Sequence, residues 1–366
     1  MTDIPASDVL DKYPHPQDTV QLVGHSQTEK IFVDNFNSGR FHHAWLITGA
    51  KGVGKATFAY RAAKFLLSTA SSGGLFGPPE NLDIDPADPA ISLIKSGAHP
   101  GLAILKRRYD TKGKKIFSVI RVDDVRSLTN FFRMTAAEGN WRIVIVDTVD
   151  DMNNNAANAI LKILEEPPEK TVFLLLSHTP ANLLPTIRSR CRLLPLKPLQ
   201  SEDLRQVLAP YIADLDAVQA GMLMSIAEGS PGKALQLLES GGLDIFAGFL
   251  EIFRNYPRLD AEKLHGLADI AARKDGENIY RTICDLYPWW LSRLVRAANS
   301  EFKIDGLLAE EANIMQKMIS GNSLVHWVDL WEKGNRLIEK ADSVNLDRKQ
   351  VVLNLFLNVE RMRPKK

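Results

Sequence analysis

Cysteine is nearly absent: Cys191 and Cys284 are the only two in 366 residues. A pair so far apart excludes a disulfide framework and a four-cysteine zinc site, and it suits a reducing compartment. Charge of one sign is lacking too, since 45 Lys and Arg against 44 Asp and Glu leave a net +1. That balance excludes a strongly basic nucleic-acid coat, though a local patch remains compatible with it. No run approaches the roughly 18 apolar residues of a membrane span, so none is expected. Met1 to Gln21 is polar and proline-containing without an apolar centre, unlike a secretory signal, so the protein is expected in the cytoplasm. What remains is an ordinary globular composition, 45% hydrophobic and 24% charged, in a chain long enough for two or three domains.

The most informative stretch present is Gly49-Ala50-Lys51-Gly52-Val53-Gly54-Lys55, a phosphate-binding loop. In such loops backbone N–H groups and a helix N-terminus cradle phosphate oxygens, the lysine reaches the terminal phosphates, and a following Ser or Thr ligates Mg²⁺. Here Ala56 takes the metal position, and Thr57 comes one residue late, about 100° round a helix. The flanks suit a working loop. His43 to Thr48 reads as a buried strand, and apolar residues at 58, 59, 62, 63, 66 and 67 have helical spacing. An incidental glycine-rich turn is the weaker reading.

A second phosphate-site element is the apolar run Arg142 to Asp147, followed by Thr148-Val149-Asp150. An ATPase of this pattern uses the Asp to orient Mg²⁺ and the next residue, normally Glu, to polarise the attacking water. Thr148 cannot act as a base near neutral pH. With metal hydroxyl and base both missing, the site reads as one that holds ATP or ADP with weak hydrolysis or none. The competing reading is a working motor, with Thr57 on the metal and Asp150 or Asp151 as base.

Elsewhere, Val23-Gly24-His25 opens a helix to about Asn37, and residues 68–101 read as a long loop or insertion. Lys106-Arg107-Arg108 and Lys112 to Lys115 make a basic stretch, either a nucleic-acid contact or a solvated hairpin tip, the latter preferred. Ile116 to Val122 reads as a strand, with Asp123 capping a helix to Met134. The helix after Asn153 stops at Glu165-Glu166 because Pro167 and Pro168 cannot continue it. Val172–Ser177 and Leu193–Leu196 are further strands, so the first half is α/β with a mostly parallel sheet. Beyond Pro198 the strands vanish. Helices are expected at Ser201–Ile212, Gln219–Ala227 and Gly232–Glu239, a boundary at Gly241-Gly242, and helical pattern to Met362. Trp289, Trp290, Trp327 and Trp331 read as core.

Together with Asn155 to Lys162, Leu164-Glu165-Glu166-Pro167-Pro168 and Thr186 to Cys191, these motifs resemble the delta-prime family of bacterial DNA polymerase III clamp-loader subunits, which are AAA+ proteins. The likeness covers roughly residues 20–240, and the last third fits by length and helical character alone. It implies a RecA-like AAA+ parallel-sheet domain over 1–196, a helical lid over 197–242 and an all-α collar for oligomerisation over 243–366. It implies nucleotide contacts at Val23, Gly24, Gly49, Gly52, Val53, Gly54, Lys55, Ala56, Thr57 and Asp147. A first sensor would fall at Ser177-His178-Thr179 and a second at Gly229 to Lys233, where Lys233 replaces the arginine of working subunits. In Ser189-Arg190-Cys191, Arg190 matches an arginine finger donated to a neighbour's ATP site. By its chemistry alone it is equally suited to an intramolecular salt bridge.

The implied partners are gamma/tau- and delta-type subunits, a ring-shaped sliding clamp and, through the assembly, primer–template DNA. The implied role is a stator within the DNA-directed DNA polymerase holoenzyme, with no polymerase and little or no ATPase activity in the isolated chain. Many relatives carry a four-cysteine zinc module between the two phosphate-site elements. This chain has no cysteine before residue 191, so neither zinc nor another bound metal is expected.

Overall fold

The computed structural model describes residues 10, 12–19, 21–68, 78–110, 115–133, 141–298 and 308–361. The chain divides into two compact units, residues 1–208 with 229–233 and residues 209–228 with 234–366.

In the first unit, strands β1 (Ala44–Thr48), β2 (Leu102–Lys106), β5 (Arg142–Asp147), β6 (Thr171–Ser177) and β7 (Arg192–Pro195) form one parallel sheet ordered β2-β5-β6-β1-β7. β3 (Tyr109–Asp110) and β4 (Lys115–Ile116) make a separate small hairpin. The helices are α1 (Ser26–Asn37), α2 (Lys55–Leu67), α3 (Pro89–Lys95), α4 (Val122–Arg133), α5 (Asn154–Glu165), α6 (Pro185–Arg188) and α7 (Ser201–Leu208). Central strands β1 and β6 are buried throughout, whereas edge strands β2 and β7 are not.

Side chains alternate across a pleated strand, so each central strand serves two cores. Trp45, Ile47, Ile145 and Leu174 pack with Phe58, Ala62 and Phe65 of α2. Leu46, Val144, Val146 and Leu175 pack with Val125 and Leu128 of α4 and Ile160 and Leu164 of α5. Each such large side chain contributes about 1.5–3 kcal/mol by leaving water. This two-sided burial holds the carboxyl ends of β1, β5 and β6 in line, and the candidate site lies there.

Four expectations need correcting. Residues 68–101 contain a helix: in α3, Asp88 accepts from Ala90 N at 2.8 Å and Pro89 takes the first turn, where its missing N–H costs nothing; residues 69–77 lie outside the described set. Ile116–Val122 is not a strand, because pairing stops after Ile116 and Ile120 makes one isolated bridge to Met152. The following helix starts at Val122, so Asp123 sits inside its first turn, and Asp124 instead accepts from Arg121 N at 2.8 Å. The helix from Ser201 ends at Leu208 and passes into a 3₁₀ turn, Ala209–Tyr211, because Pro210 has no N–H to give.

Among the described residues, the regular elements of the second unit are all helices: α8 (Ala217–Ala227), the rest of α9 (Pro231–Ser240), α10 (Gly242–Phe253), α11 (Ala261–Ala272), α12 (Glu277–Ala298), α13 (Ala309–Gly321), α14 (Leu324–Val344) and α15 (Arg348–Glu360). Trp290 and Trp327 are buried in its core, and Trp290 stacks on Phe253 with ring centroids 4.7 Å apart. Trp331 is partly exposed and donates to Pro288 O at 3.1 Å. No helix among the described residues is long and apolar enough to cross a membrane.

Candidate nucleotide-binding site

The phosphate loop connects the end of β1 to the start of α2, as strand–loop–helix spacing requires. Gly49 and Gly52 have φ of 149° and 77°. A Cβ on Gly52 would stand 2.6 Å from Ser230 Oγ and 2.8 Å from Lys233 N, so both the turn and its surroundings demand glycine. Lys55 is 4% exposed and donates from Nζ to Gly49 O and Ala50 O, each at 2.7 Å. Burial lowers its pKa to about 8 despite the attraction of Asp147 and Asp150.

Two other predicted segments meet this loop. Ser230 Oγ donates to Lys51 O at 2.8 Å and Gly232 N to Gly52 O at 2.9 Å, which ties residues 229–233, including Lys233, to its outer carbonyls. The turn at Val23-Gly24 leads into His25, whose Nε2–H donates to Val53 O at 3.0 Å. Burial lowers the His25 pKa, and the bond to Val53 opposes that shift. Ala56 and Thr57 lie in the first turn of α2, so the alanine methyl occupies the place of a metal-ligating hydroxyl.

Asp147 ends β5 and buried Thr148 follows it. Asp150 is fully engaged with the end of β6. It accepts from Ser177 Oγ at 3.0 Å, His178 N at 2.8 Å, Thr179 N at 3.1 Å and Thr179 Oγ1 at 2.7 Å. Burial alone would raise its pKa, but these bonds outweigh it and hold the carboxyl below the usual range. Asp151 pairs with Arg107, Oδ2 to Nε at 3.1 Å. Both carboxylates weighed as alternative bases thus have structural partners.

Arg190 follows α6 on the surface, where NH2 lies 2.7 Å from Glu165 Oε1 and NH1 donates to Thr186 O at 2.9 Å. The salt-bridge reading of this arginine is therefore realised within the chain. In the basic stretch, Arg108 pairs with Asp124 at 2.6 Å and Arg107 with Asp151, both at the base of the β3–β4 hairpin. Residues 111–114 lie outside the described set. Sequence reasoning missed the engagement of Asp150 and the Glu165–Arg190 pair, since neither has a local signal.

A parallel sheet in which β6 separates the loop strand from the carboxylate strand, with a glycine loop feeding a helix, defines a P-loop nucleotide-binding module of the AAA+ kind. A family model described as DNA polymerase III, delta subunit, matches residues 24–200. The DNA polymerase III delta-prime subunit of Pseudomonas aeruginosa is 37% identical over 202 residues, 54% of this chain and 56% of that protein. That of Escherichia coli is 34% identical over 212 residues, 58% of each chain. The tau subunit of Escherichia coli is 30% identical over 236 residues, 63% of this chain and 34% of its own length. The chain thus spans little more than half the length of the delta-prime relatives it matches. Over a little more than half its length the chain thus resembles DNA polymerase III delta-prime subunits.

Proposed function

We propose that the chain is a stator subunit of a DNA polymerase III clamp loader. In this reading it binds ATP or ADP with little or no hydrolysis and lends Arg190 to a neighbouring subunit's ATP site during loading of a sliding clamp on primed DNA. Its partners are gamma/tau- and delta-type subunits in the cytoplasm, the clamp and, through the assembly, DNA. The nucleotide-binding module, lid and collar divide at about 196 and 242.

One observation carries the reading. The phosphate loop keeps its glycines and Lys55, while the usual metal hydroxyl and every candidate base are missing or committed: Ala56 has no oxygen, Thr148 is buried and not basic, Asp150 accepts four hydrogen bonds and Asp151 holds Arg107. The residues present fit a nucleotide's phosphates, with loop N–H groups and Lys55 to hold them. A permanently charged planar fork such as Arg190 stabilises charge that builds on a transferring phosphoryl group.

The test is reconstitution of the loader with this chain. The isolated protein is expected to release no phosphate from Mg·ATP. Arg190→Ala is expected to lower the DNA-stimulated ATPase of the assembled complex on the order of 10³-fold, with assembly intact. Steady turnover by the isolated chain refutes the stator reading. An unchanged rate in the Arg190→Ala complex shows instead a scaffold in which the Glu165 pair is structural.

A further inference from the structure

Arg190 is held at both terminal nitrogens. Glu165 Oε1 lies 2.7 Å from NH2, and Thr186 O accepts from NH1 at 2.9 Å. Glu165 is the last residue of α5, where Pro167 and Pro168 end the helix, so its Cα is fixed by the backbone. Arg190 NH1 bonds back onto the last turn of α6, a helix of four residues. The side chains of Arg190 and Glu165 are 35% and 48% exposed. A pair this wet adds little to stability because water screens it. Its consequence is orientation. A guanidinium carries five N–H donors in one plane, and a contact on each terminal nitrogen fixes that plane while leaving hydrogens on the fork for an anion.

We propose that Glu165 is the positioning residue for Arg190, holding the guanidinium in the plane from which it meets the neighbouring subunit's triphosphate. The inference rests on the arginine-finger reading above. A carboxylate suits the task better than an amide, since a charge-assisted bond is shorter and more directional. It also offsets the cost of bringing an unpaired cation to a subunit interface before the triphosphate arrives. The opposite use of the same pair, a latch that must break on assembly, predicts the opposite sign when Glu165 is removed.

The experiment compares four reconstituted loaders with wild type: Glu165→Ala, Glu165→Gln, Arg190→Ala and the Glu165→Ala/Arg190→Ala double variant. Assembly is followed by size exclusion, and kcat and KM by DNA-stimulated ATP hydrolysis. Glu165→Ala is expected to lower kcat on the order of tenfold with KM nearly unchanged, less than the roughly 10²-fold that a misplacement of about 1 Å can cost. Glu165→Gln keeps an acceptor oxygen and should recover most of that loss. The double variant should match Arg190→Ala alone. An unchanged or raised kcat in Glu165→Ala, a change confined to KM, loss of assembly, or a double variant that falls further than Arg190→Ala each overturns the positioning role. If Arg190→Ala itself leaves the rate unchanged, the arginine-finger reading fails first, and that result is distinct from the others.

Discussion

Lys55 is an ammonium in a place largely stripped of water, and burial draws its pKa to about 8 from the usual 10.5. Below about pH 8 it is charged and ready for an anion; above, a phosphate can bind it only by taking up a proton. Affinity for ADP is therefore expected to be level up to about pH 8 and to weaken by up to about tenfold per unit beyond it. A fluorescent ADP analogue titrated at pH 7 and pH 9 checks this, and Lys55→Met should abolish both the affinity and its pH dependence. Equal affinities at the two values would remove Lys55 from phosphate binding. The nucleotide-free fold has a linked response. Its folded pKa lies below the unfolded one, so the unfolded chain holds more protons between about 8 and 10.5, and stability rises with pH across that window. At this scale the loop, Ala56 and Thr148 were legible because each is one position in a short motif. The fate of Asp150 was not. Its partners lie 27 to 29 residues onward and reach it only because β5 and β6 pair in parallel.

Among elements, the phosphate loop and the 229–233 turn approach closely, and Gly232 would place a Cβ 2.7 Å from Gly52 Cα. Glycine on both sides lets two backbones touch, and the bonds from Ser230 and Gly232 to Lys51 and Gly52 fix their register. Gly52→Ala is expected to destabilise the first unit by about 1–3 kcal/mol from left-handed strain, and more because Lys233 N is backbone and cannot swing aside. Gly39→Ala is the control. Its φ of +67° is comparable to the +77° of Gly52, but nothing lies within 4 Å of its added Cβ. Denaturant midpoints separate the two. If Gly52→Ala loses no more than Gly39→Ala, backbone strain explains all of it and the close approach contributes nothing. The alternation of buried strands and helices was legible because β1, β5 and β6 are short continuous apolar runs while α2 and α5 repeat apolar residues at helical spacing. Helix α3 carried its own signal, Asp88 before Pro89, but it was masked by a run of Gly, Pro and Asp. The false strand after Ile116 shows the converse, since a run of apolar residues without a partner strand does not make a sheet.

For the molecule as a whole, a net charge of +1 says nothing about where charge is buried. In the second unit, Arg293 of α12 and Glu311 of α13 are each 1% exposed, with Nε 3.2 Å from Oε1, and Arg293 NH1 donates to Ser225 O of α8 at 3.3 Å. One guanidinium thus joins three helices lying on both sides of Gly241-Gly242. The helical pattern of this region was legible; this junction was not, because residues 225, 293 and 311 come together only in the packed unit. Removing Glu311 alone would leave a buried cation without its counter-charge, a loss of about 3–5 kcal/mol. Replacing both with apolar residues of similar volume removes charge and partner together and is often near neutral. Glu311→Ala is therefore expected to lower the urea midpoint of the second unit sharply and to speed hydrogen exchange in residues 217–227. Arg293→Met with Glu311→Leu should recover most of the midpoint. Exchange in 217–227 should stay fast in that double variant, because Arg293→Met removes the donor to Ser225 O. If the single variant leaves both midpoint and exchange unchanged, apolar packing rather than the ion pair joins α8 to α12 and α13. If the double variant restores slow exchange as well, the guanidinium is dispensable for holding α8.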